Sequence, residues 1–75
     1  PWRFIAVNII AQVIVTLLPE ISKRMTKKTI LVLSGIIRER QNDVLSALKV
    51  HNLVVVHEEY MDEWVCLAVK KKTNK

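Results

Sequence analysis

Two short apolar runs each end at a small or polar residue and are followed by a segment with helical spacing. The clearer run covers residues 29–37, in which a β-branched stretch stops at Ser34 and Gly35. The other covers residues 3–7 and ends at Asn8. Apolar runs of this length predict buried parallel strands of an open α/β sheet. Such sheets bind ligands outside the carboxyl ends of their strands, so Asn8, Ser34 and Gly35 mark a candidate site.

The segments that follow these runs predict two amphipathic helices. The apolar stripe of the first helix consists of Ile10, Val13, Ile14, Leu17, Leu18, Ile21 and Met25. Pro19 falls inside this helix, where its missing N–H donor and its ring should produce a bend. The second helix is predicted over residues 38–51, and Asn52 is expected to end it in the left-handed conformation that asparagine tolerates.

The last third of the chain predicts two strands joined by a turn. Residues 53–57 and 64–69 are apolar runs, and the polar residues 58–62 between them predict the turn. A connection this short makes the two strands antiparallel. The predicted order is therefore β-α-β-α-β-β, with the last strand antiparallel and both crossovers right-handed.

Length and hydrophobic content together predict a single partial domain over residues 1–75. A chain of 75 residues buries a small share of its surface, yet 51% of the residues are hydrophobic. Some of that apolar surface needs a cover from outside the chain, so we expect a fragment or an oligomer. The start at Pro1, without methionine and close to the first strand, fits a segment of a longer protein, and a chain released from a tag would start in the same way.

The positive charge is unevenly distributed. The net charge is +5, with one basic cluster in residues 23–28 and a basic tail in residues 70–75. Such clusters can bind nucleic acid or an anionic surface. They can also be a solvated helix end and a disordered tail, because no aromatic residue interleaves with the lysines as base stacking requires.

Residue usage argues against several other kinds of site. The single Cys66 cannot form an internal disulfide and suggests a reducing compartment. His51 and His57 have no second cysteine or paired His-Glu motif beside them, so no metal site is expected. The apolar stretch 4–18 is 15 residues long, shorter than the roughly 20 that a membrane span needs, so no membrane partner is expected.

Four short segments together resemble one family of enzymes. In chain order they are residues 7–11 (VNIIA), 18–20 (LPE), 30–37 (ILVLSGII) and 63–67 (EWVCL). Their order and spacing resemble the carboxyl-terminal half of bacterial ribosomal-protein methyltransferases. These enzymes use S-adenosylmethionine to methylate amino groups of the large-subunit protein numbered eleven. The resemblance spans residues 4–71 and implies the C-terminal half of a Rossmann-like methyltransferase sheet.

The resemblance has consequences for what this chain can do alone. It implies that the four strands are the last four of a seven-stranded sheet, in which they lie side by side in the order four, five, seven, six. Both helices would then lie on one face, and the other face would be bare. The chain has one glycine, so the glycine-rich cofactor loop would belong to the N-terminal part of the same enzyme. We expect the isolated chain to be inactive and to self-associate through its bare surfaces. The family's Lys-Pro-Gly-Gly turn is replaced by residues 25–28 (MTKK), so that loop needs another geometry.

The resemblance also suggests roles for the candidate residues. Methyl transfer needs a neutral amine held in line with the sulfonium methyl group, with an acceptor for the amine's hydrogen bond. By resemblance, Asn8 supplies that acceptor, and Asn8 with Ile9 faces cofactor and substrate. The alternative is that Asn8 caps the following helix. Ser34 and Gly35 are the second candidates near the substrate pocket, with a capped strand-to-helix turn as their alternative.

Two functions remain open from the sequence. The first is part of a cytoplasmic, S-adenosylmethionine-dependent protein methyltransferase that acts on amino groups of a ribosomal protein. The second is a small basic α/β interaction module that binds RNA or a ribosomal partner without catalysis. A glycine-rich strand-to-helix loop followed about 20 residues later by an acidic residue, upstream of this chain, would favour the enzyme.

Overall fold

The computed structural model describes residues 4–8 and 10–72 and has the predicted element order. The strands are β1 (Phe4–Asn8), β2 (Ile30–Ile37), β3 (Leu53–Met61) and β4 (Trp64–Lys71). The helices are α1 (Ala11–Arg24) and α2 (Gln41–Val50), and a 3-10 turn at Arg38–Arg40 precedes α2. Arg3 of the first predicted strand and residues 73–75 of the predicted tail lie outside the described residues.

The four strands form one sheet in the order β1-β2-β4-β3. β1 and β2 are parallel, whereas β4 is antiparallel to both of its neighbours, β2 and β3. This is the order four, five, seven, six that the resemblance implied. β1 and β3 are the two edge strands of the sheet.

The hydrophobic core lies between one face of the sheet and the two helices. Alternate residues of β2 and β4 point to this face, which places Leu33 beside Leu67 in the register. Ile14 and Leu18 of α1 and Leu48 of α2 pack into the same buried cluster. The expectation that both helices cover one face is confirmed.

The opposite face of the sheet, here called the open face, carries apolar side chains without a cover among the described residues. By register it includes Phe4, Ile30, Val54, Met61 and Trp64, together with Ala6, Val32, Ile37, Cys66 and Ala68. Phe4 is 64% exposed and Met61 is 67% exposed. An exposed apolar area of this kind marks a surface that binds another element.

β2 does not end at Ser34 and Gly35, so that predicted strand end is wrong. Its pairing with β4 is irregular between Leu33 and Ile36, then resumes and continues to the pair Ile37–Trp64. Gly35 has a φ of 79°, which a residue without Cβ adopts at low cost. The two small residues form a β-bulge rather than a terminus. The second helix consequently begins at Gln41, after the 3-10 turn, instead of at Arg38.

The predicted turn at residues 58–62 is also wrong. β3 continues to Met61, and a two-residue connection, Asp62 and Glu63, leads into β4. Asp62 has a φ of 54°, and aspartate tolerates that left-handed conformation. The polar residues after Val56 belong to an exposed edge strand, so the hydrophobic pattern gave no sign of a strand there.

α1 continues through Pro19 without interruption from Ala11 to Arg24. Two hydroxyl groups add hydrogen bonds to carbonyls of this helix, because Thr16 donates to Gln12 O at 3.0 Å and Ser22 donates to Pro19 O at 3.1 Å. The bend at Pro19 stays a prediction. The expected left-handed residue after α2 is confirmed, since Asn52 has a φ of 59°.

The loop between α1 and β2 is closed by a pair of threonines. Thr29 is fully buried, and its Oγ1 accepts a hydrogen bond from the Thr26 backbone N–H at 2.9 Å. The two hydroxyl oxygens lie 3.2 Å apart, and Thr26 Oγ1 also accepts a hydrogen bond from the Lys28 N–H. This is the geometry that residues 25–28 use without a glycine.

Among the described residues, no helix is both long enough and apolar enough to span a bilayer.

Candidate functional site

The carboxyl end of β1 and the bulge of β2 place two of the predicted site residues side by side. Asn8 and Ser34 are partners in the register of the parallel pair, and both lie on the open face. The Ser34 hydroxyl donates to the carbonyl oxygen of Val7 at 3.3 Å, which ties the two strands together at this end. Ser34 therefore has a structural role here, and its predicted capping role is wrong because the strand continues past it.

Asn8 does not cap the following helix. The N-cap of α1 is Ile10, which has an extended backbone and no side-chain cap bond. Asn8 instead ends β1 with an exposed side chain, and no hydrogen bond joins that side chain to another described residue. Its carboxamide is free to accept a hydrogen bond from a ligand. The other residue predicted beside it, Ile9, lies outside the described residues.

Gly35 lines a cavity at the carboxyl end of the sheet. The cavity has a volume of about 720 Å³ and lies between the N-terminal turns of the two helices. Its apolar walls are Ile10, Ala11, Val15, Ile37 and Trp64, and its polar walls are Gln12, Thr16, Arg40, Asp43 and Ser46. A cavity with apolar walls and a few polar groups is typical of a small-molecule or side-chain binding site. Trp64, the first residue of β4, is the wall that the β3–β4 hairpin contributes.

The sequence did not indicate the polar residues of this cavity. Arg40 and Asp43 form an exposed ion pair at 3.5 Å, one turn apart at the start of α2. Both fall within residues 38–51, the second predicted amphipathic helix, where charged residues are ordinary. Only the tertiary structure brings them to the cavity that Gly35 also lines. The one sequence feature that pointed to this cavity was the pair Ser34 and Gly35, followed by a segment with charges of both signs.

The tip of the β3–β4 hairpin is held against the start of α2 by polar contacts. The Arg38 guanidinium carbon lies 4.9 Å from the centre of the Tyr60 ring, and the Arg38 N–H donates to Glu63 O at 2.9 Å. Tyr60 accepts a hydrogen bond from Gln41 Nε2 at 2.9 Å and donates one to Glu58 at 3.0 Å. These contacts fix the position of the hairpin, and with it the Trp64 wall of the cavity.

No group of three metal-binding side chains occurs among the residues that the structure describes. His57 instead lies 2.7 Å from the Glu59 carboxylate on the exposed edge strand. The cofactor loop expected of this fold requires several glycines, whereas Gly35 is the chain's one glycine. The end of β1 thus offers the Asn8 carboxamide on the open face, and the cavity, which Gly35 lines but Asn8 and Ser34 do not, offers mixed apolar and polar walls.

The β-α-β-α-β-β order, with β4 antiparallel to its neighbours and both helices on one face, is the fold of part of a Rossmann-like methyltransferase sheet. A family model described as ribosomal protein L11 methyltransferase (PrmA) matches residues 2–72. The chain belongs to the ribosomal protein L11 methyltransferase family.

Individual relatives agree with this assignment. The chain is 38% identical over 68 residues to the ribosomal protein L11 methyltransferase of Alkaliphilus oremlandii, covering 91% of this chain and 22% of that protein. It is 35% identical over 69 residues to the same protein of Ruminiclostridium cellulolyticum, covering 92% and 22%. The crystal structure of a ribosomal protein L11 methylase from Lactobacillus delbrueckii subsp. bulgaricus has the same fold. It matches with a TM-score of 0.90 and 21% identity, over 95% of this chain and 37% of that chain.

The chain spans about 22% of the length of the curated relatives it matches. It is thus a fragment relative to them, as the resemblance implied. The part of those relatives that it matches corresponds to the four-stranded sheet and the two helices described above.

Proposed function

We propose that this chain is the substrate-side half of the catalytic domain of an S-adenosylmethionine-dependent protein methyltransferase that acts on amino groups of a ribosomal protein. The observation that carries the proposal is the exposed, unengaged carboxamide of Asn8 at the carboxyl end of β1. This is the sheet end at which open α/β folds bind their ligands. The names of the relatives support the choice of a ribosomal protein as substrate.

When bound, S-adenosylmethionine supplies an electrophilic methyl group, and the amine must meet it as a neutral nucleophile. The carbonyl oxygen of the Asn8 carboxamide accepts a hydrogen bond from the amine N–H, which fixes the direction of the nitrogen lone pair. Ile9 follows it in the sequence, and Ser34 and Gly35 lie beside it in the bulge of β2, where their small side chains leave room for a ligand. Holding the reactants in this way can supply about 7–11 kcal/mol of the barrier in favourable cases.

The residues present fit a split cofactor site. The end of β1 offers an acceptor and small neighbours, but the chain has no glycine-rich loop to approach the cofactor closely. The N-terminal part of the same enzyme would supply that loop and would cover the open face and the free edge of β1. The chain by itself would then be inactive. A ribosomal protein as substrate also makes the cytoplasm the compartment we propose.

Calorimetric titration with S-adenosylhomocysteine tests this proposal. The 75-residue chain and the full-length natural protein that contains it are titrated side by side. Binding by the full-length protein alone is expected, because the cofactor loop lies outside this chain. Binding by neither would contradict the proposal and would favour the non-catalytic interaction module. Tight binding by the 75-residue chain alone would contradict the split site.

A further inference from the structure

The two basic clusters of the sequence meet at one end of the folded sheet, opposite the candidate site. Leu31 at the start of β2 pairs with Val69 near the end of β4, and Leu53 at the start of β3 pairs with Lys71. Both helices run back from the site end, so their C-terminal turns reach this same end. We call the resulting surface the basic end; it comprises Lys23, Arg24, Lys27, Lys28, Lys49, Lys70, Lys71 and Lys72.

The charges of the two ends of the sheet are segregated. The basic end holds eight cations, and the carboxylate nearest to it is Glu20, which pairs with Arg24 at 3.3 Å. The other six carboxylates, Glu39, Asp43, Glu58, Glu59, Asp62 and Glu63, lie in the half of the sheet nearer the candidate site. In the described part of the chain, none of the seven lysines of the basic end has a carboxylate within 4 Å. A surface that serves solubility alone mixes both signs, so this arrangement indicates a polyanionic partner.

Several chain segments build one connected surface. Lys49 and Lys72 line the same shallow cavity of about 380 Å³, together with Asn52. The Lys72 N–H donates to Asn52 O at 2.9 Å, which fastens the end of β4 to the left-handed residue after α2. Lys27 and Lys28 extend from the threonine-closed loop on the other side. Backbone hydrogen bonds therefore fix the chain at Lys28 and at Lys72, on the two sides of this surface.

From this surface we infer that the basic end binds the phosphate backbone of double-helical RNA. Lysine ammoniums are point charges that suit phosphates rather than base edges. Single-strand binding would need aromatic platforms, and the one described aromatic residue at this end, Phe4, belongs to the open face. The choice of RNA as the polyanion rests on the proposed function, since RNA accompanies a ribosomal protein.

The inference can be tested by titrating the full-length natural protein with an RNA duplex of mixed sequence. We expect a dissociation constant of about 10⁻⁴ to 10⁻⁶ M at physiological salt, and a steep loss of affinity between about 50 and 200 mM salt. Lys28→Gln, Lys49→Gln and Lys72→Gln should each lower the slope of log affinity against log salt by about 1. The matched control Arg40→Gln removes one cation at the other end of the sheet and should leave the slope unchanged.

Three results would overturn the inference. The first is an unchanged slope in a variant that combines the three lysine substitutions and keeps its circular dichroism spectrum. The second is tighter binding to single-stranded RNA or to the equivalent DNA duplex. The third is binding to vesicles with anionic lipid that depends on the three lysines while RNA binding does not. RNA binding is measured without methyl transfer, so a failed titration with S-adenosylhomocysteine would count against the proposed function alone.

Discussion

Asn8 and Ser34 are the last register partners of β1 and β2, and only one of these two polar side chains is engaged by the described structure. The Ser34 hydroxyl donates to Val7 O at 3.3 Å, so its proton is already used in a hydrogen bond between the two strands. The Asn8 side chain is exposed and makes no hydrogen bond to a described residue. The described structure thus gives Ser34 a structural role and leaves the Asn8 carboxamide available for the ligand-binding role that we propose.

This separation predicts different effects of removing the two side chains. In the full-length natural protein, Asn8→Ala should lower the rate of methyl transfer tenfold or more, about 1.4 kcal/mol, because the amine loses its acceptor. The measurement is the initial rate with the ribosomal protein substrate, with folding checked by circular dichroism. Ser34→Ala is the matched control and should change the rate less than about threefold, since its hydroxyl is used between strands. A change under about twofold for Asn8→Ala would contradict the assigned role.

Hydrophobic periodicity was enough to predict the kind and the order of the main elements along the chain. Ile14 and Leu18 recur at helical spacing and are fully buried, and Leu33 and Leu67 fall in apolar runs and form the centre of the sheet. In each of these cases the local pattern and the tertiary packing require the same residue type. The strand order itself came from the family resemblance, because parallel pairing joins segments far apart in the chain.

The wrong predictions concern residues whose alternation of apolar and polar side chains does not reveal their secondary structure. Residues 57–61 are all exposed, so their strand character depends on backbone pairing with β4 rather than on side chains. Gly35 was interpreted as a strand end because a glycine in a strand is compatible with either a terminus or a bulge. Arg40 and Asp43 line the cavity through the placement of α2, which no local sequence feature specifies.

The bulge at Gly35 predicts a specific cost for a methyl group. A non-glycine residue at a φ of 79° suffers a clash of its Cβ with the backbone, so Gly35→Ala should lower the free energy of unfolding by about 1–2 kcal/mol. Urea denaturation of the full-length protein measures this change. Asp62→Gly makes the reverse change at a φ of 54° and should stay within about 1 kcal/mol of the natural protein. Equal stability of Gly35→Ala and the natural protein would show that the bulge rearranges.

The threonine pair predicts that one hydroxyl is essential to the loop before β2. Thr29→Val keeps the shape of a fully buried side chain but removes the acceptor of the Thr26 N–H, so we expect a loss of about 1–3 kcal/mol. Thr16→Val is the control, because the Thr16 hydroxyl is exposed and bonds only to a carbonyl within its own helix. Its effect should stay within about 0.5 kcal/mol. Similar losses for both variants would mean that the buried hydrogen bond does not stabilise the loop.

The open face predicts that the isolated 75-residue chain dimerises or aggregates at micromolar concentration. On this face Phe4 is 64% exposed and Met61 is 67% exposed, and the free edge of β1 offers unpaired backbone groups beside the same face. Static light scattering should therefore report a mass above the 8.7 kDa of a monomer. Val54→Lys combined with Met61→Lys places two charges on the open face and should shift the chain towards the monomer. Val50→Lys is the matched control, because Val50 is 79% exposed at the end of α2, away from the sheet. A monomeric natural chain, or equal rescue by the control, would mean that the open face does not drive association.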